Sequence, residues 1–138
     1  MRRIFGTAVL LAAALGVAGC GADSDDSISA ATSTTPEEEF PANGITENVL
    51  ALDNNYIPQV LEIAAGTEVL WENNGRNVHD VIPADDTTAS TWGVLQASFE
   101  PKDTYAYVFT MPGTYTYFCS IHGTPTAAMF GTIIVTEP

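Results

Sequence analysis

From about residue 46 to the end, the chain is a succession of short β-rich runs broken by turn residues, and no stretch holds a helical period. Residues 49–52 make one run and 60–63 the next, closed by Ala65-Gly66. Residues 68–72 end at Asn73-Asn74-Gly75, and 78–82 stop at Pro83. Residues 105–109 lead to Pro112-Gly113, and runs at 114–118 and 130–135 complete the set. Runs of this length, rich in Val, Ile, Tyr and Phe and bounded by Gly, Pro and Asn, read as strands. Seven or more of them in about 93 residues predict an all-β fold, an antiparallel sandwich or barrel. Residues 84–98 carry no strand pattern and are expected to form a loop or one short helical turn.

Charge narrows the function. The 138 residues hold 4 Lys and Arg against 17 Asp and Glu, a formal net charge of -13. A nucleic-acid binder needs a basic face, and these cations cannot build one. Two Cys exclude a disulfide-dense scaffold, and two His exclude a site with several imidazole-bound metals. No hydrolytic triad, phosphate-cradling Gly loop or zinc-protease motif is present, so no enzyme activity is expected.

The N-terminus speaks of compartment. Met1-Arg2-Arg3 precedes an apolar run from Ile4 to Gly19, shorter than the roughly 20 residues of a membrane span. A basic start, a short apolar run and small residues at its end read as a secretory signal over residues 1–19. The end, Val17-Ala18-Gly19-Cys20, resembles a bacterial lipobox, which implies cleavage before Cys20 and lipidation of its thiol. An ordinary signal or an uncleaved anchor is the alternative. Each of these places the rest of the chain outside the cytoplasm. Residues 20–45 carry six acids, no base and few large apolar side chains. Such a stretch cannot bury enough surface to offset its ordering entropy, and it reads as a flexible acidic tether. The folded domain is then expected at 46–138.

Within that domain Cys119 is the one thiol. It ends an aromatic strand, and His122 follows three residues later, a spacing that lets thiolate and imidazole reach one ion. His79 lies 40 residues upstream, near the start of another predicted strand. Among thioethers, Met111 would sit roughly 25 Å from Cys119 along an extended run, whereas Met129 lies where the chain turns back toward the last strand. One thiolate, two imidazoles and a weak thioether suit copper. Structural zinc sites favour two or more Cys.

Here a resemblance becomes specific. The stretch from Pro112-Gly113-Thr114-Tyr115 through Cys119-Ser120-Ile121-His122-Gly123 to Met129-Phe130-Gly131 resembles the copper loop of the cupredoxins, the plastocyanin-like ones in particular. Tyr56-Ile57-Pro58, Trp71-Glu72-Asn73-Asn74 and Asn77-Val78-His79 are similar to the same family further upstream. The likeness spans about 46–138. It implies an eight-strand Greek-key β-sandwich that shuttles one electron through a single copper ion, held by His79, Cys119, His122 and axial Met129. It also makes the His122 edge the electron port, with Gly123, Thr124 and Pro125 around it.

Two departures stand out. Six residues separate His122 from Met129, where the family has four. Asp80 follows the upstream His where the family has Asn, and in the family that side chain bonds the hydroxyl residue after the Cys, here Ser120. The implied partners are redox proteins, transient and basic, met by a monomer held at a membrane through Cys20. The alternative functions are copper delivery or buffering, and a metal-free β-sandwich for adhesion or assembly. Tyr117 and Phe118 are a second tunnelling route or, more simply, strand aromatics; Trp71 and Trp92 are expected to pack.

Overall fold

The computed structural model describes residues 38–86 and 90–138. The signal, Cys20 and most of the tether expected from the sequence lie outside the described residues. Along the chain come β1 (Thr46–Leu52), β2 (Asn55–Ile57), β3 (Val60–Ala64), β4 (Thr67–Asn73), β5 (Ile82–Pro83), a 3-10 turn (Gln96–Ser98), β6 (Thr104–Phe109), β7 (Gly113–Thr124) and β8 (Ala127–Thr136). The 3-10 turn falls inside the segment that lacked a strand pattern.

The strands form two four-stranded sheets, ordered β2-β1-β4-β6 and β3-β8-β7-β5. Alternation decides which side chains lie between them. β4 buries Thr67, Val69, Trp71 and Asn73 and leaves the residues between them half-exposed. β8 buries Met129, Gly131, Ile133 and Val135 in the same period. Trp71 sits at the centre, its ring 5.5 Å from Tyr105, 5.5 Å from Tyr117 and 6.0 Å from Trp92. Edge-on and tilted contacts of this kind add to what burial of the rings already contributes. Gly131 makes room for Tyr117: a Cβ there would stand 2.5 Å from the tyrosine ring.

Two expectations need correction. Pairing is not antiparallel throughout, because β1 runs parallel to β4 and β3 parallel to β8. After β2 the chain crosses to the second sheet as β3, then returns through Ala65-Gly66 beside β1 in the same direction. Periodicity within one run carries no information about such crossovers. The domain also begins before residue 46. Phe40 packs on the core, and its N–H donates to the Thr110 carbonyl at 2.7 Å. The Asn43 N–H donates to the Gly66 carbonyl at 2.9 Å, and its Nδ2 to Thr67 Oγ1 at 2.9 Å. The polar composition of the stretch masked these anchors, which are main-chain bonds, one Phe and one Asn.

Candidate metal centre

The site is built at one end of the sandwich from two segments that are irregular for a reason. The first is the connection from β4 to β5. Asn73, fully buried, donates from Nδ2 to the carbonyls of Asn77 (3.1 Å) and Phe99 (2.9 Å) and accepts the Gly75 N–H at 3.1 Å. The Asp53 carboxylate, in the β1–β2 turn, accepts the Arg76 N–H at 2.6 Å and pairs with its guanidinium at 3.0 Å. The Arg76 N–H bond, more than the guanidinium, holds the Asp53 carboxyl below its usual range. These side chains cap a turn that regular pairing does not satisfy. His79 follows in irregular chain, before β5 rather than on a strand as the sequence had suggested. It is completely buried, with no hydrogen-bond partner on Nε2. A Cβ on Gly75 would lie 2.9 Å from that Nε2, so only glycine leaves the ring its space.

The second segment is a bulge between β7 and β8. Phe118 pairs with Phe130 and Gly123 with Ala128, so four residues, 119–122, face the single residue Met129. Strict alternation would send Cys119 and His122 to opposite faces; the extra residues turn both toward one point. Cys119 Sγ lies 3.4 Å from His122 Nδ1 and 3.7 Å from His79 Nδ1. The two Nδ1 atoms are 3.1 Å apart. A triangle with those sides has a circumradius of about 2.0 Å, close to the bond lengths by which imidazole and thiolate hold a transition-metal ion. Among the described residues these three form the cluster able to hold a metal.

Their electrostatics agree with that use. Burial, and then the neighbouring His122, push His79 below the ordinary imidazole range, which keeps it neutral and able to donate its lone pair. Burial pushes the Cys119 thiol up, opposed by backbone N–H groups of Asp80, Ile121 and His122. A bound cation reverses the burial penalty and draws out the thiolate. Met129 is completely buried on β8, opposite the bulge. Met111 lines a cleft with Trp92 and Tyr115, away from this cluster.

Around the three donors lies a polar clasp. Asp80, 1% exposed, accepts the Ser120 N–H at 2.7 Å through Oδ1 and the Ser120 hydroxyl at 2.5 Å through Oδ2. The Tyr56 hydroxyl donates to the Asp80 carbonyl at 2.5 Å. Gln96 Nε2 reaches both Asp80 Oδ2 and Ser120 Oγ at 3.4 Å. Sequence reasoning had not found Gln96, Asn73, Asp53 or Gly75. Only Asn73-Asn74-Gly75 carried a signal, read as a turn and, for Asn73-Asn74, as part of the family likeness, with no role assigned to either side chain.

The profile of copper binding proteins of the plastocyanin/azurin family matches residues 42–136, which includes all of these side chains. The chain belongs to that family. Its cofactor is copper. The major plastocyanin isoform of Arabidopsis thaliana is 31% identical over 87 residues, covering 58% of this chain and 51% of the relative. The chain thus spans about half of that relative's length. Among solved structures, a purple cupredoxin from Nitrosopumilus maritimus aligns with a TM-score of 0.53 at 24% identity, covering 64% of this chain and 98% of that one. A reduced amicyanin variant aligns at 0.56 and 23%, covering 72% and 92%. These two establish the likeness of the cupredoxin fold. This chain's longer spacing between His122 and Met129 also finds its place here. The added residues are strand, pairing Gly123 with Ala128 and Thr124 with Ala127, so the hairpin grows outward and Met129 keeps its position facing the bulge.

Proposed function

We propose that this plastocyanin/azurin-family chain is a one-electron carrier. His79 Nδ1, Cys119 Sγ and His122 Nδ1 would hold the copper, with the Met129 thioether as a weaker fourth donor. The observation that carries this reading is the convergence of the three donors at mutual distances of 3.1–3.7 Å, with His79 and Cys119 fully buried and His122 half-buried. Copper supplies the Cu(I)/Cu(II) couple. The chain's own part is to hold the donors still: paired strands fix Cys119, the capped turn fixes His79, and the Asp80–Ser120 clasp ties the two segments together. Donors fixed in this way rearrange little between oxidation states. Complete burial of His79 and Cys119 argues against rapid handover of the ion, as a delivery protein would need.

The same reading includes export and attachment to a membrane through lipid on Cys20, a monomeric state, and brief encounters with other redox proteins. No helix among the described residues is long and apolar enough to cross a membrane. The test is spectroscopic. Loaded with Cu(II), the protein gives an intense visible band from thiolate-to-copper charge transfer, and Cys119→Ser removes it. A colourless copper complex, or no stoichiometric copper, overturns the proposal. Mass spectrometry of membrane-extracted protein, with Cys20→Ser as control, tests the anchor.

A further inference from the structure

The two ring nitrogens of His79 face different chemistry. Nδ1 lies 3.7 Å from Cys119 Sγ and 3.1 Å from His122 Nδ1, so an imidazole that donates from that atom carries its proton on Nε2. Nε2 is buried without a hydrogen-bond partner, and the residue it meets is Gly75. A Cβ built on Gly75 would stand 2.9 Å from Nε2 and 3.0 Å from Asp53 Oδ1, so those two atoms are no further apart than these lengths together. The oxygens of Asp53 are used differently. Oδ1 accepts the Arg76 N–H at 2.6 Å and an N–H of Asn77 Nδ2 at 3.3 Å. Oδ2 takes the guanidinium, through Nε and Nη2 at 3.0 Å each. The Asp53 side chain is 24% exposed and that of Arg76 91%. The negative charge therefore stands on the protein side of the pair, and the positive charge is out where water and salt screen it. Burial and His122 lower the pKa of His79; two carboxylates oppose them, Asp53 more strongly than Asp80.

Taking the electron-carrier reading as given, we infer that Asp53 is a positioning residue for the redox centre. Its carboxylate acts across Gly75 on the Nε2 edge of His79 and favours the oxidised form of the bound copper, and Arg76 moderates that effect. The reason is charge. Cu(II) carries one positive charge more than Cu(I), so a carboxylate behind the ligand stabilises the oxidised state more. The same charge favours the tautomer with its proton on Nε2, which leaves the Nδ1 lone pair for the metal. One electron enters or leaves the copper, and Asp53 and Arg76 exchange neither electron nor proton with it.

The experiment compares two substitutions in the full chain that break the same ion pair in opposite charge senses, Asp53→Asn and Arg76→Gln. Asparagine keeps an oxygen for the Arg76 N–H and loses the charge. The Arg76 side chain lies almost wholly in solvent, so glutamine there takes nothing from the core. Voltammetry of the copper-loaded chain is expected to show the reduction potential rising for Asp53→Asn and falling, by a smaller amount, for Arg76→Gln. Competition of the metal-free chain against Cu(I) and Cu(II) chelators reads the same effect as binding. The ratio of Cu(II) to Cu(I) affinity is expected to fall about fivefold for Asp53→Asn and to rise about twofold for Arg76→Gln. A role confined to holding the turn would move both variants the same way, because each loses the same ion pair, and that result overturns the inference. So does an Arg76→Gln potential that rises or stays put, which decides the matter even where Asp53→Asn fails to fold. A wild-type chain that binds copper without an intense visible band removes the carrier reading, and this inference with it. A coloured wild type whose variants shift together removes the inference alone.

Discussion

One region of the sandwich interior is ring on ring and the other is polar atoms aimed at a point. Around Trp71 lie Trp92, Tyr105, Phe109 and Tyr117, with centroids 5.5–6.2 Å from its own. Around Cys119 lie His79, His122, Asp80 and Ser120, donors and acceptors that run from the buried His79 and Asp80 out to the exposed Ser120. The first region gains from burial and ring contacts as soon as the chain folds. The second gathers three electron-pair donors whose mutual approach gains little until a cation joins them. The aromatic region therefore supplies the stability that lets the other be held ready.

The hardest test of that division is Trp71→Ala. Loss of the central ring leaves a cavity among four aromatics and is expected to cost about 3–5 kcal/mol in denaturant melts of the metal-free protein. A small loss would mean that the aromatic region does not carry the fold. Gly75→Ala acts on the other side. A methyl 2.9 Å from His79 Nε2 must displace the ring or the turn, at about 1–3 kcal/mol. Copper affinity and the visible band are expected to suffer more than the apo-protein melting point. An unchanged spectrum would show that His79 does not need that gap.

The pH dependence of the metal-free protein separates the regions again, with a smaller effect. His79 has its folded pKa lowered, so the unfolded chain binds the extra proton first and stability falls as pH drops below about 6.5. Cys119 has its folded pKa raised, so the unfolded chain loses its proton first and stability falls as pH rises above about 9. Between these limits the two residues leave the stability curve flat, and copper should remove the alkaline fall because it holds the thiolate. A metal-free protein steadily stabilised from pH 5 to 6 downward would contradict the burial of His79. The smallest effect expected is that of Asp80→Asn, which keeps the shape of the clasp and removes an acidic side chain beside the thiolate. Voltammetry should show the reduction potential rising by something on the order of tens of millivolts. A fall, or no change, would mean that the clasp acts through geometry alone.

What the sequence made legible follows physical range. Strand runs were readable because alternation is local: Thr67 to Asn73 announces its own buried face. Cys119 and His122 were readable because three residues separate them, and His79 because the chain offers only two imidazoles. The parallel pairing of β1 with β4 was not readable, since it depends on where the chain returns after leaving a sheet. Nor was the role of Gln96, which lies in a segment without periodicity and acts through one long-range amide contact. Asn43 was lost for a related reason. A lone Asn in a polar stretch looks the same whether it meets solvent or Thr67 Oγ1.

The hairpin beyond the bulge has a further consequence, one of parity. Gly123 and Thr124 meet Ala128 and Ala127 rung by rung, so each added rung brings two residues and returns every later side chain to its own face. Natural or engineered variation in this connection can lengthen it by two or by four without turning Met129 outward. A change of one or three residues would swap the inside and outside of the last strand unless a compensating kink absorbed it.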